Sequence, residues 1–358
     1  VLKNLTAEAG AAMMFITHDL GLVARFAHKV AVMYAGRIVE FGRVEDIFAS
    51  PQHPYTQSLL GTIPSTSMLK SERLPQIPGM PPDMRFAVTG CAFKERCAGA
   101  HDRCFAEAPR LSDRGPEHEA ACWLPHGLDE RAELPATRSA RPNQPFEPDG
   151  SVVVELNALW KQFETSRKMV VRAVNGVNLR VHKGETLGIV GESGCGKSTV
   201  ARLLLGLEKP TSGDIFIAGL AQMVFQDPAA SFNPKMTIGD IVAEPLVVKA
   251  RGGKAERLEA VRRLISLVGL DPAFAERYPH QLSGGQRQRI AVARALALNP
   301  SVVVADEPTS ALDVSVRAQI INLLVDLKQE LGISFVFISH DLLTVRYISD
   351  RIAVMYLG

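Results

Sequence analysis

The chain has 358 residues, enough for two or three domains, and its 46% hydrophobic and 22% charged content is that of a globular protein with a sizeable buried core. A formal charge of +2 gives no broad electrostatic footprint for nucleic acid, and no apolar run approaches a membrane span, so any membrane association is expected to be peripheral. Five cysteines, one of them inside a glycine loop, argue for a reducing compartment rather than a disulfide scaffold, and a start at Val1 with neither Met nor signal peptide reads as a fragment or a processed end.

The first fifty residues return at the far end. Phe15-Ile16-Thr17-His18-Asp19-Leu20 matches Phe337-Ile338-Ser339-His340-Asp341-Leu342, and Ala31-Val32-Met33-Tyr34 matches Ala353-Val354-Met355-Tyr356. The alignment runs without a gap from Val1 to Gly36, and 15 of those 36 positions are identical. So long a period is not a solenoid; it means two copies of one whole domain in tandem. The chain opens on the tail of copy one, residues 1–50, which has no phosphate loop here and cannot hold a nucleotide alone.

Within that tail Met13 to Ile16 reads as a buried strand, Leu20 to Ala27 as a short helix, Val30 to Tyr34 as a strand, and Gly36-Arg37 as a turn into Ile38-Val39-Glu40. Pro51 and Pro54 bracket a turn, and Thr56 is expected to cap the helix that Gln57-Ser58-Leu59-Leu60 begins. Residues 64–90, rich in Pro, Ser and Met, read as irregular connector. Cys91, Cys97, Cys104 and Cys122 follow, spaced C-x5-C-x6-C-x17-C. Four thiolates suit a four-iron cluster or Zn²⁺, although the pairs of C-x-x-C that zinc sites usually carry are missing; free buried thiols or an adventitious disulfide are the plain alternatives. Residues 126–150, polar and Pro-rich, read as an exposed linker.

The second copy, residues 151–358, starts with the strand Val152-Val153-Val154-Glu155-Leu156. Val177 to Val181 alternates as a second strand, and Thr186 to Val190 is a short buried one. Then comes Gly191-Glu192-Ser193-Gly194-Cys195-Gly196-Lys197-Ser198-Thr199, which reads G-x-x-x-x-G-K-S, followed by the helix-like Val200-Ala201-Arg202-Leu203-Leu204-Leu205. Strand, glycine loop and helix in that order are the context of a nucleoside triphosphate site. Glycines let several backbone N–H groups point at the phosphates, and the helix N-terminus adds a favourable dipole. Lys197 is expected on the β- and γ-phosphates and the Ser198 hydroxyl on Mg²⁺.

Four elements follow in fixed order. Gln226 ends the apolar run Val224-Phe225. Leu282-Ser283-Gly284-Gly285-Gln286 opens a helix and offers a second set of backbone N–H groups to an anion, against the plain alternative of an N-cap. Val302 to Glu307 is a buried strand ending on two carboxylates, of which Asp306 is placed on Mg²⁺ and Glu307 on the attacking water. His340 follows the strand Phe335 to Ile338. Gln226 and His340 gain their weight from position in this series.

At these residues the second copy resembles the ATP-binding subunits of ABC transporters, and the first fifty residues resemble the tail of another. The resemblance covers the Walker A loop Gly191–Thr199, the Q-loop Gln226, the signature Leu282–Gln286, Walker B Val302–Glu307, the D-loop Ser310–Asp313 and the switch His340. It implies an α/β P-loop core with an antiparallel β subdomain and a helical signature subdomain. It implies ATP and Mg²⁺ as ligands, with Ser198, Gln226 and Asp306 toward the metal, Phe163 against adenine, and Glu307, His340, Gln226 and Lys197 in catalysis. Ser283, Gly284, Gly285 and Gln286 would serve the ATP of a second ATPase domain facing head to tail.

His53-Pro54-Tyr55-Thr56 and the four-Cys segment ending Ala121-Cys122-Trp123 are similar to the C-terminal extension, here residues 51–125, of dipeptide, oligopeptide and nickel importer ATPases. That likeness implies an iron–sulfur cluster on Cys91, Cys97, Cys104 and Cys122. It also implies two integral membrane permease subunits, an extracytoplasmic substrate-binding protein as indirect partner, no nucleic acid, and a peripheral position on the cytoplasmic face of the bacterial inner membrane. One departure stands out. Between Gly219 and Met223 the chain has only Leu220-Ala221-Gln222, where the family carries a basic helix and a strand lead-in, so distortion of the antiparallel part is expected. A soluble ABC-type ATPase without a transport role, and a degenerate non-catalytic copy, are the alternative functions.

Overall fold

A computed structural model describes residues 8–17, 19–62, 73–79, 81–82, 84, 86–125, 128, 146, 150–164 and 169–358. They fall into two compact units, one drawn mainly from residues before 141 and the other mainly from 141 onward.

The first unit carries helix α1 (Leu20–Phe26), strands β1 (Lys29–Tyr34) and β2 (Arg37–Arg43), helices α2 (Val44–Ala49), α3 (Pro54–Gly61) and α4 (Asp102–Ala106), and strands β3 (Ser112–Gly115) and β4 (His118–Ala120). Its antiparallel sheet has the order β1-β2-β4-β3. Tyr34 pairs with Arg37 across a two-residue turn in which Ala35 and Gly36 have φ of 48° and 73°, the twist that a tight hairpin requires. Behind the sheet lie Val32, Tyr34, Val39, Ile47, Ile77 and Phe93. Tyr34 packs 4.6 Å from Tyr55 and 5.3 Å from Phe93, ring centre to ring centre. Leu74 and Ile77 are buried, so part of the stretch read as irregular connector is a core anchor without regular structure.

Two expectations for this unit are corrected. The helix after Pro51 starts at Pro54, and its N-cap is His53, whose Nδ1 accepts from the Tyr55 amide at 3.0 Å; Thr56 lies inside the helix. Pro54 at the first helical position loses no hydrogen bond, and its fixed φ suits the start. Met13–Ile16 is not a buried strand: it is unpaired, with Met14 and Ile16 about 90% exposed. The counterpart strand in the second unit is buried because parallel neighbours flank it on both edges; among the described residues no strand pairs with Met13–Ile16. His18, and nearly all of the linker expected at 126–150, lie outside the described residues.

The second unit is an α/β arrangement of two sheets. Strands β5 (Val152–Glu164), β6 (Val170–His182) and β8 (Ser212–Ile217) form an antiparallel sheet ordered β6-β5-β8. Strands β7 (Thr186–Val190), β9 (Ala221–Val224), β10 (Val302–Asp306), β11 (Ser334–Ile338) and β12 (Arg351–Val354) form a parallel sheet ordered β12-β7-β11-β10-β9. Every residue of β7, β10 and β11 is buried, as parallel strands covered on both faces demand. The core joins Val154, Leu156, Leu159, Val174 and Val181 of the antiparallel sheet to Leu187, Ile189, Val304, Val336 and Ile338 of the parallel one. Helix α5 (Lys197–Leu204) adds Val200, Leu203 and Leu204 to it. Each such side chain contributes about 1.5–3 kcal/mol by leaving water.

The remaining helices are α6 (Pro228–Ser231), α7 (Ile238–Val248), α8 (Lys254–Leu267), α9 (Gly284–Leu296), α10 (Val314–Leu331) and α11 (Leu342–Ile348). Helices α7, α8 and α9 pack on one another as a helical group.

The antiparallel sheet is continuous, with register shifts at four places between β5 and β6 and at one, Asn157/Trp160, between β5 and β8. β8 pairs with β5 from Val154↔Ile217 onward, and β9 pairs with β10 over all four of its residues. The short link from Ile217 to Ala221 closes on Ser301, whose hydroxyl donates to the Ala218 carbonyl and accepts from the Leu220 amide at 3.1 Å. Gly219 makes this closure feasible: its φ is +96°, and a Cβ there would stand 2.2 Å from the Ser301 Oγ.

Candidate functional site

The carboxyl ends of β7, β10 and β11 lie side by side in the sheet, and each delivers one expected group: the glycine loop after Val190, Asp306–Glu307, and His340. Ligands of open parallel sheets bind at such an edge.

The loop curls as its glycines predict. Gly194 and Gly196 have φ of +83° and +108°, and Gly196 is the N-cap of α5. A Cβ on Gly196 would stand 2.1 Å from the Ala173 carbonyl of β6, so the loop presses on that strand. Lys197, only 7% exposed, turns its ammonium back into the curl, donating to the carbonyls of Gly191 and Glu192, both at 2.8 Å, with the Cys195 Sγ at 3.7 Å. Glu192, Ser193, Gly194 and Ser198 are exposed and Thr199 is half-buried, so one face of the loop is open to solvent. Cys195, expected among the nucleotide-binding residues, has its side chain buried.

Asp306 is buried, and its pKa is raised, chiefly by desolvation; its partner is the Ser198 hydroxyl. Its Oδ1 has no hydrogen-bond partner among the described residues. A half-satisfied carboxylate beside a hydroxyl at a helix start is an all-oxygen donor set, which fits a hard divalent cation such as Mg²⁺. Glu307, the next residue, has φ of 46°, a left-handed backbone unusual outside glycine, held by its amide donating to the Ile338 carbonyl at 2.9 Å. Gln226 Nε2 donates to Glu307 Oε2 at 3.0 Å, and His340 Nδ1 lies 3.2 Å from Oε1. Three residues far apart in sequence thus meet at one carboxylate. β9 ends at Val224, so Gln226 stands two residues beyond the strand rather than on its last position.

Phe163 lies near the end of β5, opposite Val171 of β6, two residues from the Ala173 carbonyl that Gly196 abuts. Its ring is 37% exposed, with the Lys161 ammonium 4.7 Å from its centre. This exposed aromatic beside the loop suits stacking on a base.

Ser283 and Gln286 spend their side chains on a capping box: the Gln286 amide donates to Ser283 Oγ at 3.3 Å, and the Ser283 amide to Gln286 Oε1 at 2.9 Å. What the turn can offer a ligand is its Gly284 and Gly285 backbone. Among the described residues no hydrogen bond joins it to the phosphate loop. The arginines that follow were legible only as helix. Arg287 donates to the Pro279 carbonyl at 2.9 Å, Arg289 to the Val268 carbonyl at 2.7 Å, and Arg294 to Ser231, so α9 is braced on three sides. A run of arginines on a helix otherwise rich in buried alanines was the available signal.

In the first unit Cys91, Cys97, Cys104 and Cys122 line one small cavity with His53, Phe93, Trp123 and Leu124. All four thiols are free. Burial raises the pKa of Cys91, Cys97 and Cys122, that of Cys97 to about 11, and the thiols' mutual repulsion adds to it. Among the described residues no three His, Cys, Asp or Glu side chains stand close enough to hold a single metal ion, so the geometry of a zinc site is missing.

Residues 174–310 match the family model for the ABC transporter, and residues 39–104 match that for the oligopeptide/dipeptide transporter, C-terminal region. The oligopeptide transport ATP-binding protein OppD of Mycobacterium bovis is 43% identical over all of this chain and 62% of its own length. The glutathione import ATP-binding protein GsiA of Pectobacterium atrosepticum is 40% identical over all of this chain and 53% of its own. The chain therefore spans between half and two thirds of the length of these relatives. Among solved structures, a dimeric post-hydrolysis state of the ATP-binding cassette MJ0796 bound to ADP and Pi matches 57% of this chain and 95% of its own, at 34% identity and a TM-score of 0.52. With the glycine loop, the paired carboxylates and the sheet edge that gathers them, these likenesses make the chain a member of the ABC transporter family of ATP-binding proteins.

Proposed function

We propose that the second unit binds and hydrolyses MgATP to energise a peptide importer. The observation that carries the reading is the convergence of Gln226 and His340 on Glu307, directly beside Asp306 and the Lys197 loop. Lys197 and the loop amides would hold the phosphates, Phe163 the adenine, and Ser198, Asp306 and Gln226 the Mg²⁺. Bound Mg²⁺ would offset charge on the phosphate oxygens. Glu307 would orient the attacking water, and His340 would fix Glu307. Ser283, Gly284, Gly285 and Gln286 would close on the ATP of a second ATPase domain facing head to tail, and the dimeric structure of MJ0796 supports this pairing. Hydrolysis then releases the pair, and the motion passes to two permease subunits at the cytoplasmic face of a bacterial inner membrane, fed by a substrate-binding protein outside. Among the described residues no helix is long and apolar enough to cross a membrane.

The match of residues 39–104 to the oligopeptide/dipeptide region favours an importer over an ABC ATPase without a transport role. The division proposed with this reading is a first-copy tail at 1–50, an importer-type extension at 51–125, a linker at 126–150, and the second ATPase domain from 151. For Cys91, Cys97, Cys104 and Cys122 the proposed ligand is an iron–sulfur cluster, four thiolates being its usual ligand set and these four lining one cavity. The test of the main reading is Glu307→Gln in the full-length parent chain. Nucleotide binding should persist while turnover falls about a hundredfold, the worth of a positioned base. Turnover near that of the wild type removes Glu307 from the role.

A further inference from the structure

Arg294 occupies the last turn of α9, the helix whose first turn is the Ser283-Gly284-Gly285 signature. Its side chain is 13% exposed, and burial lowers its pKa while Glu244 raises it. One guanidinium nitrogen donates to the Ser231 carbonyl at 3.1 Å, the other to the Ser231 hydroxyl at 2.9 Å; the group also lies 5.0 Å from the Phe232 ring centre and 3.8 Å from Glu244 of α7. Ser231 ends α6, the single turn that begins two residues after Gln226. Asp227 caps that turn by accepting from the Ala230 amide at 3.3 Å, and the Ser231 hydroxyl ties it off on the Pro228 carbonyl at 3.0 Å. An unbroken path of hydrogen bonds and short backbone therefore runs from Glu307 through Gln226, Asp227 and Ser231 to Arg294. From there α9, a rod of 13 residues and about 20 Å, reaches the signature.

We propose that Arg294 is a positioning residue that couples the Gln226–Glu307 contact to the orientation of the signature turn, so that the state of one nucleotide site sets the closure of the site in trans. The inference rests on the functional reading above. A buried apolar side chain at this position would fill the same space. The guanidinium instead fixes a two-pronged geometry on Ser231, and only that geometry makes a displacement of α6 turn the whole helix rather than slide past it. Arg287 and Arg289 brace the same helix against Pro279 and Val268; the helix also packs on β9 and α6, and Arg294 supplies a polar link across that packing toward Gln226.

The test uses the full-length parent chain with Arg294→Met, Arg294→Lys and Ser231→Ala. Equilibrium ATP binding, steady-state turnover and the cooperativity of turnover in ATP are measured on each, with thermal melting as a check of folding. Arg294→Met should lower kcat about tenfold, as loss of a hydrogen bond to a charged group does, and bring the Hill coefficient toward 1 while the ATP Kd stays within about twofold. Ser231→Ala, which deletes the acceptor of one prong and the hydroxyl's own bond to Pro228 but keeps the Ser231 carbonyl, should show a smaller change of the same pattern, with its melting compared to the wild type. Arg294→Lys should restore part of kcat, and Arg294→Met with Ser231→Ala should be no worse than Arg294→Met alone. An active wild type whose variants keep their cooperativity, or lose kcat only in step with folded fraction, overturns this inference alone. A wild-type chain that turns over no ATP overturns the reading of the site, and this inference with it.

Discussion

His53 gives the first unit an acid-sensitive lock whose size follows from its surroundings. The ring is 2% exposed, and its pKa is lowered to about 4, chiefly because burial penalises the imidazolium. In the unfolded chain it titrates near 6.5. The native state therefore refuses a proton that the unfolded state accepts between those two values. Stability contributed by His53 is complete above pH 6.5 and falls as the pH drops toward 4. The gap of about 2.5 pK units corresponds to about 3 kcal/mol at its full extent. A hydrogen bond to the Ala121 backbone offsets part of this and the Arg114 charge adds to it, while Nδ1 is committed as acceptor to the Tyr55 amide at the start of α3. The assay is urea unfolding of the first unit within the intact chain, followed through tyrosine and Trp123 absorbance at half-unit steps from pH 7.5 to 4.5. His53→Asn, which keeps an N-capping acceptor and removes the titration, is the control. The wild type should lose stability relative to His53→Asn as the pH falls below 6.5. Parallel curves across that window would show that the imidazole is not held neutral, and the reasoning would fail.

Other outcomes follow from the same geometry. Gly196→Ala should abolish nucleotide binding in an equilibrium titration, because its Cβ would meet the Ala173 backbone at 2.1 Å and the φ of +108° would be strained. Gly219→Ala should lower stability by about 1–3 kcal/mol in denaturant unfolding, since it strains the link that Ser301 closes. A dilute, demonstrably monomeric preparation of this chain should hydrolyse little ATP, because one phosphate loop and one signature cannot close on each other; brisk turnover at nanomolar protein would contradict that. Protein purified without oxygen should carry iron and a broad visible absorbance band that Cys104→Ser removes, whereas colourless protein with stoichiometric zinc would reverse the cluster assignment.

Much of the candidate site was legible because its chemistry is local. The loop Gly191–Thr199 needs particular residues at adjacent positions, and strands that end in paired acids announce themselves by their apolar runs. Less legible were the features made by residues far apart. The Gln226 and His340 contacts to Glu307 span 81 and 33 residues, and sequence order alone could suggest but not measure them. Glu40 was read only as part of a strand. It is fully buried and accepts from the amides of Gln52 and His53 and pairs with His118 at 2.7 Å, so it organises the extension around the hairpin. Such a carboxylate is tolerable only when every lone pair is engaged, and the partners come from loops whose approach no periodicity encodes. The short link before Gln226 misled for a related reason: a missing segment suggested damage, but the hydroxyl of Ser301, far along the chain, supplies the closure.

The internal repeat separates what sequence dictates from what neighbours dictate. Asp19 and Asp341 both cap the helix that follows them, accepting from Leu22 and from Leu343 and Thr344, because a cap needs only a few residues of its own chain. Phe15-Ile16 and Phe337-Ile338 are identical too, yet Phe337 and Ile338 are fully buried, while Phe15 is 48% and Ile16 91% exposed. The second pair sits on β11 between β7 and β10, whose hydrogen bonds satisfy both of its edges. Among the described residues no strand pairs with the first pair. Exposing two large apolar side chains leaves about 3–6 kcal/mol unrealised, a strong drive to acquire a partner sheet. The repeat names the register of that sheet: β12 lies parallel to β7 with Ala353 opposite Ile189, so Ala31 of β1 should lie opposite the equivalent residue of an upstream phosphate-loop strand. Adding such a core in trans should protect the amides of residues 13–16 from hydrogen exchange. Exchange that stays fast in the complex would mean that identical sequence does not, here, imply an identical place in a sheet.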